Sequence, residues 1–275
     1  MKFSILGGSG FVGRALVKKM LGMGHEVFAP DRDELANCLR DSSWNWGHLI
    51  YCIGLTSDFR TRPLDTVTAH VTLLNDILRN DAFDSITYLS STRVYSDLLD
   101  GKEDSQLKIQ PRDGDSIYNL SKLMGESLCL NATARARVVR LSNVYGWSPN
   151  SSDFLSSVIS DCCKYGKVRL LTAPASAKDY VSLLDVLDWL PEISLRGRFG
   201  DIYNLASGEN TSNDQIASSL TIKGCDVYFD PSASVLKFPT INVSKVSAEF
   251  WKPGHRLVDD FSLLYDSYFQ GVNLL

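Results

Sequence analysis

A tyrosine and a lysine four residues apart, Tyr118 and Lys122, are spaced for chemistry. On a helix such residues share one face. An ammonium beside a phenol stabilises the phenolate, and the tyrosine can then take or give a proton near neutral pH. Upstream, Leu89-Ser90-Ser91-Thr92-Arg93-Val94-Tyr95 places hydroxyls at the carboxyl end of an apolar run that reads as a strand. In an open α/β sheet that end faces the ligand crevice, where a hydroxyl can hydrogen-bond the oxygen that Tyr118 deprotonates. A third stretch offers backbone only: Gly7-Gly8-Ser9-Gly10-Phe11-Val12-Gly13, between an apolar run over 3–6 and an amphipathic pattern over 14–21. Gly7 permits a tight turn, Gly10 lets backbone approach a pyrophosphate, and Gly13 lets helix and strand pack closely. The helix start at Phe11 and Val12 points free N–H groups and a partial positive charge at the phosphates. Asp31 then stands at the distance where a carboxylate accepts both hydroxyls of the adenosine ribose and repels a 2′-phosphate, which favours NAD. Arg32 pulls toward NADP, because a guanidinium can clamp that phosphate; its other reading is a solvated surface charge.

These groups need a scaffold. The first half alternates apolar strand patterns, over 48–54, 85–90 and 137–141, with helical patterns over 33–40, 66–79 and 116–130. That alternation reads as βαβ units on a parallel sheet. Beyond Gly146 the pattern loosens into helices over 153–165, 182–190 (ending before Pro191) and 213–220, with strands over 167–171 and 202–205. The expected fold is α/β: a Rossmann-type doubly wound parallel sheet with a small mixed α/β C-terminal substrate domain. Residues 1–146 form the dinucleotide-binding domain and 147–275 are mainly the substrate-binding domain, with some elements returning to the Rossmann core.

The 275 residues suffice for a full hydrophobic core, and a net charge of −4 with no like-charge block argues against nucleic acid as partner. The run over 3–6 is too short for a secretory signal, and no run is long enough for a membrane span. The six cysteines include no Cys-x-x-Cys pair and read as reduced thiols of a cytoplasmic protein. No two of the four histidines have ligand spacing, so no metal is expected.

In their order and spacing, the glycine turn, the Ser-Ser segment and Tyr-x-x-x-Lys resemble the extended short-chain dehydrogenase/reductase family, in its NAD-dependent nucleotide-sugar epimerase/dehydratase branch. The turn matches G-x-x-G-x-x-G. Ser90 to Tyr95 is similar to Ser-Ser-x-x-Val-Tyr, which implies Ser91 as the catalytic hydroxyl. Arg140-Leu141-Ser142-Asn143-Val144-Tyr145-Gly146 is similar to Arg-x-x-Asn-x-Tyr-Gly, whose asparagine meets substrate. The stretch from Lys178 through Asp185 looks like Arg-Asp-Tyr-Ile-His-Val-x-Asp, and those from Tyr203 through Glu209 and Val243 through Lys245 match late landmarks. The resemblance implies catalytic Ser91, Tyr118 and Lys122. It implies a cofactor set of Gly7, Gly10, Phe11, Val12, Gly13, Asp31, Arg32, Gly54, His70, Tyr118 and Lys122, and substrate contacts at Ser91, Thr92, Arg93, Asn143 and Lys178; Arg256, a cation in the loop after Trp251-Lys252-Pro253-Gly254, is a further expected contact.

Departures shape the expectation. The usual third strand is curtailed, since a short segment joins Asp31 to Leu49. His70 stands where relatives carry an asparagine at the cofactor; it reads equally as a satisfied helix histidine. Lys178 replaces a diphosphate-binding arginine and acts only as a point charge. Dehydratases of the family carry Asp-Glu where this chain has Thr92 and Arg93, which argues against a 4,6-dehydratase; Arg93 meets an anionic group on the sugar or pairs outward. The expected activity is epimerisation of a nucleotide-activated sugar by transient oxidation at C4. Its alternatives are an NAD(P)H-dependent reductase of a keto nucleotide sugar and a catalytically silent NAD(P)-binding regulator. A homodimer is compatible with this reading.

Overall fold

A computed structural model describes residues 1–41, 43–55, 58–148, 153–250 and 252–274. Along the chain run β1 (Lys2–Leu6), α1 (Phe11–Gly22), β2 (Glu26–Phe28), α2 (Arg32–Arg40), β3 (His48–Tyr51), α3 (Pro63–Val67), α4 (Leu73–Asn80), β4 (Ser85–Ser91), α5 (Ser116–Ala132), β5 (Ala136–Leu141), β6 (Asn143–Tyr145), α6 (Phe154–Tyr165), β7 (Lys167–Leu170), β8 (Ala177–Ser182), α7 (Leu183–Arg196), β9 (Ile202–Leu205), β10 (Asn210–Ser212), α8 (Asn213–Ile222), β11 (Asp226–Phe229), α9 (Ser244–Glu249) and α10 (Leu257–Gln270). The chain divides into two compact units. One comprises Met1–Val94, Leu107–Leu141 and Leu187–Asn204, the other Tyr95–Gln106, Ser142–Val186 and Leu205–Leu275.

The first unit is built on a six-stranded sheet in the order β2-β1-β3-β4-β5-β9. The pairs from β2 to β5 are parallel, with Leu6 opposite Tyr51, Tyr51 opposite Tyr88 and Ser91 opposite Leu141. Strand order reverses between β1 and β3, the switch point at whose carboxyl ends α/β sheets bind ligands. No strand lies beyond β2 among the described residues: the chain goes from α2 directly to β3, as the short Asp31–Leu49 segment implies. The core gathers Leu6, Trp46, Leu49, Leu74, Ile77, Phe83 and Ile86 around the sheet.

Helix α5 buries Tyr118, Ser121, Lys122, Gly125, Glu126 and Cys129, a stripe at helical spacing that carries the proposed chemistry on its inward face. The helix expected over 66–79 starts earlier, with Pro63 in its first turn, and contains a π-helical turn, Thr68–Thr72, between α3 and α4. The helix expected to stop before Pro191 runs through it. Proline costs a helix interior about 3 kcal/mol. Full burial of Trp189, Leu190 and Ile193 around it offsets that.

The second unit is mixed α/β. Its sheets are β10-β8-β6, with β6–β8 parallel and β8–β10 antiparallel, and the parallel pair β11-β7. Leu155, Ile159, Leu170, Leu220, Phe261 and Leu264 form its core. The sulfurs of Cys162 and Cys225 lie against each other across 63 residues. The topology explains the contact: β7 follows α6, and its pairing with β11 brings Asp226 opposite Lys167. Cys38, Cys52, Cys129 and Cys163 are free. No helix is long and apolar enough to cross a membrane, and no group of metal-ligating side chains is found among the described residues.

Candidate active site

Three polar groups in the first unit set the distance between β4 and α5. Glu126 is buried on α5; its Oε1 accepts from Ser90 Oγ at 2.5 Å and Arg140 Nε at 3.0 Å, and its Oε2 accepts from Arg140 Nη2 at 2.7 Å. One residue earlier, Gly125 lies so close to β4 that a Cβ there would stand 2.3 Å from the Tyr88 hydroxyl. Ser90 is committed to Glu126, and Ser91 follows it as the last residue of β4. Its Oγ accepts the Arg93 backbone N–H at 3.2 Å, and its hydroxyl stands near enough to the Tyr118 phenol to draw the phenol's pKa down.

Tyr118 is 6% exposed, with its ring 5.1 Å from Phe59 and edge-on to His70 at 5.3 Å. Burial raises its pKa above the ordinary tyrosine value, while Ser91 and the nearby Arg93 guanidinium draw it down. The net direction is upward, opposite to the lowered phenol pKa expected from the sequence. The Lys122 Nζ donates to the Leu89 carbonyl at 2.9 Å, and its own pKa is pushed by burial from 10.5 to about 8.

His70, fully buried on the π turn, accepts the Leu55 N–H at Nε2 (3.3 Å). That fixes the tautomer: Nδ1 carries the proton and donates to Ser121 Oγ at 2.8 Å, and Ser121 donates to the Tyr118 carbonyl at 2.9 Å. Burial and the nearby Lys122 push its pKa to about 2, so it stays neutral. Both ring nitrogens are engaged, and His70 acts as an internal strut between the end of β3 and α5. Gly54 lies against this strut; a Cβ there would stand 3.1 Å from His70 Nε2 and 3.3 Å from Lys122 Nζ.

At the switch point, Gly10 caps α1 with extended backbone and no side-chain bond, which leaves the N–H groups of the first turn, from Phe11 and Val12 on, facing outward. A Cβ on Gly13 would meet the Gly7 carbonyl oxygen at 2.2 Å. An uncapped helix start against a glycine cradle fits a pyrophosphate. Asp31 caps α2: its Oδ1 accepts from the backbone of Asp33 and Glu34, both at 2.9 Å, and Glu34 returns the bond to the Asp31 N–H. The second carboxylate oxygen has no partner among the described residues, and Arg32 is exposed beside it.

Arg93 belongs to a cluster that spacing does not reveal. Asp115 binds Arg93 through Oδ2 and Arg60 Nη2 through Oδ1, the latter at 2.5 Å. Both guanidiniums lie over Phe59, at 5.3 and 4.6 Å, and Arg93 lies 5.9 Å from the Tyr118 ring. Thr92 is buried in the 3-10 turn that follows β4.

In the second unit, a cavity of about 660 Å³ is lined by Tyr180, Gly208, Glu209, Asn210 and Arg256, among others. Arg256 donates from Nε and Nη2 to Glu209 at 2.9 and 2.6 Å. Two buried acids hold its walls. Asp179 accepts from the Ser207 and Gly208 backbone at 3.0 and 2.8 Å, and Asp185 accepts from Gly254 and His255 at 3.0 and 3.1 Å. Both lie in the stretch matched from Lys178 through Asp185, where sequence shows the pattern but not what the carboxylates grip. Asn143 donates to the Asp179 carbonyl at 2.8 Å. Lys178 does not line this cavity; it lies 4.8 Å over Phe154 and lines a smaller one of about 80 Å³.

The model of the NAD dependent epimerase/dehydratase family matches residues 3–206. A search of curated protein sequences gives no match. Among solved structures the chain is similar to MoeE5 in complex with UDP-glucuronic acid and NAD (20% identity, TM-score 0.82, 99% of this chain and 100% of that one). It is similar to UDP-glucose 4-epimerase from Thermotoga maritima with UDP-glucose (18%, 0.81, 98% and 99%), and to RMD from Pseudomonas aeruginosa complexed with NADPH (21%, 0.78, 98% and 99%). At these identities the likeness is one of fold. The family match is one of sequence and spans the glycine turn, Ser91, Tyr118, Lys122 and Asp179: this chain belongs to the NAD dependent epimerase/dehydratase family.

Proposed function

We propose that the protein is an NAD-dependent epimerase of a nucleotide-activated sugar, acting at C4. The observation that carries this reading is the meeting of Ser91 and the buried Tyr118 phenol at the end of β4, with the Lys122 ammonium anchored beside Gly54. NAD, when bound, takes up the hydride that leaves C4 and gives it back. Gly7, Gly10, Phe11, Val12 and Gly13 hold the pyrophosphate, the second oxygen of Asp31 receives the adenosine ribose with Arg32 alongside, and Gly54 and Lys122 receive the nicotinamide ribose. His70 keeps Gly54 and α5 in register from behind.

Tyr118 removes the proton of the sugar hydroxyl as C4 becomes a carbonyl carbon, and returns it when the sugar has turned over. Ser91 orients the hydroxyl by hydrogen-bonding the same oxygen. Arg93 and Ser91 stabilise the phenolate that burial alone would disfavour. Arg256, Asn143 and Lys178, all in the second unit, are the proposed contacts of the diphosphate and sugar. Asp31 favours NAD, the cofactor suited to being reduced and reoxidised in one cycle.

The test is incubation of the purified protein with NAD and a panel of nucleotide sugars, with product analysis by NMR and absorbance of reduced cofactor. A C4 epimer formed without net cofactor consumption supports the proposal. Net consumption of NAD(P)H identifies a reductase, and binding without chemistry identifies a regulator; either result overturns it.

A further inference from the structure

Beside Tyr118 stand two arginines and one acid. Asp115 engages one nitrogen of Arg60 and one of Arg93, and its single charge cannot neutralise both. The acids that flank Arg60 along the chain, Asp58 and Asp65, are both bound to Arg62, at 3.0 and 2.8 Å. The group keeps one net positive charge. A guanidinium has five N–H donors in a rigid fork, so both arginines retain donors. Both also lie against the buried Phe59 ring, and a guanidinium stacked on an aromatic face is held in orientation before a ligand arrives. Arg60 has a 54% exposed side chain and Arg93 one of 29%, so the pair is reachable.

We propose that Arg60 and Arg93 bind a carboxylate on the sugar, and that the substrate is a nucleotide-linked uronic acid rather than a neutral hexose. This rests on the C4 epimerase reading. When C4 lies at Tyr118, the diphosphate on C1 is across the ring and cannot be the anion beside the phenol. A carboxylate at C6 is two bonds from C4, on the same side of the sugar. It presents two oxygens to a paired guanidinium fork, the geometry in which arginine binds carboxylate best. Sequence shows Arg93 at a position where an anionic sugar group is one reading. The second arginine, the shared acid and the aromatic platform come only from the fold.

The test uses the full chain with NAD and matched pairs of nucleotide sugars, neutral and C6-oxidised, such as UDP-glucose and UDP-glucuronic acid. The uronic acid should be preferred by about tenfold or more in kcat/KM, the scale of one charge-assisted hydrogen bond. Arg60→Met should lower the acid-to-neutral ratio by about tenfold, and Arg60→Lys should restore part of it as a point charge. NAD affinity and thermal midpoint report whether the variant is folded, and Arg60, being exposed, is chosen over Arg93 for that reason. Calorimetric titration of both sugars into Tyr118→Phe enzyme reads the preference without turnover. Equal affinity for the two members of every pair, or a preference for the neutral sugar, overturns the clamp even if epimerisation is found. A clear preference for the acid in binding, with no epimer formed, supports the clamp and counts against the epimerase.

Discussion

Replacing Lys122 by Met should stabilise the cofactor-free protein while abolishing turnover. The Nζ is buried, hydrogen-bonded to the Leu89 carbonyl at 2.9 Å, and its pKa is lowered from 10.5 to about 8. At 1.36 kcal/mol per tenfold, that displacement corresponds to about 3 kcal/mol against the charged native form. The native value lies below the unfolded one. Between about 8 and 10.5 the unfolded chain therefore binds more of this proton than the native chain, and wild-type stability rises with pH across that window. Below about 8 both states are protonated and the full penalty stands. Met fills a similar volume and has no charge, but leaves the Leu89 carbonyl without this donor, at a cost of about 1–3 kcal/mol. The net gain at pH 7 should thus be between about 0 and 2 kcal/mol. The difference between variant and wild type should then fall by about 3 kcal/mol from pH 7 to 10.5, other titrating groups cancelling. Urea unfolding of both proteins across that range, followed by the fluorescence of the five tryptophans, measures it. A difference that does not change with pH, or a Met variant more than about 1 kcal/mol less stable at pH 7, would refute the claim that a charged Lys122 is held at a cost for function.

Tyr118→Phe should keep the fold and NAD binding and lower turnover by about two to four orders of magnitude in a steady-state assay. Gly13→Ala should destabilise by about 3 kcal/mol in urea unfolding, because the new Cβ meets a backbone oxygen that no side-chain rotation can move. Asp31→Asn should leave α2 stable, since asparagine caps a helix as well as aspartate, yet reduce the preference for NAD over NADP by about tenfold in calorimetry. An unchanged preference would assign Asp31 to capping alone.

What could be read from the sequence follows the reach of each signal. The glycine turn is local: seven consecutive residues state their backbone needs, and the Gly13–Gly7 contact meets them. The Tyr118–Lys122 face is local too, because helical period alone sets it. The short Asp31–Leu49 segment shows directly that a strand is missing beyond β2. The rest depends on residues that meet only after folding. Arg60, Arg93 and Asp115 come from three separate segments of the chain, and no pattern along it joins them. Strand β8 reads Ala-Lys-Asp-Tyr-Val-Ser, with too little apolar alternation to declare itself, and its role is carried by the buried Asp179. Pro191 ended a helix by local rule, and tertiary burial of its neighbours overrode the rule. The phenol was expected low from its lysine neighbour; the degree of burial, which raises it, is a property of the packed site.

The adjacent serines at 90 and 91 show how that site is kept in place. A buried ion pair such as Glu126–Arg140 contributes little net stability, since desolvation offsets most of the attraction. Breaking it by removing one partner is costly, about 3–5 kcal/mol, because a charge stays buried without compensation. Such a pair is a poor source of stability and an effective constraint. Here it fixes α5 on β4 and β5, with Ser90 as a third partner on Glu126. A one-residue slip of β4 would carry Ser90 away from Glu126 and Ser91 away from the phenol together, because the strand alternates faces. Eight residues earlier on the same stripe of α5, Tyr118 meets the other serine. The polar group that aligns the helix and the one that does the chemistry therefore share one strand end and one helix face, and the position of Ser91 against Tyr118 is determined by the buried bonds behind it.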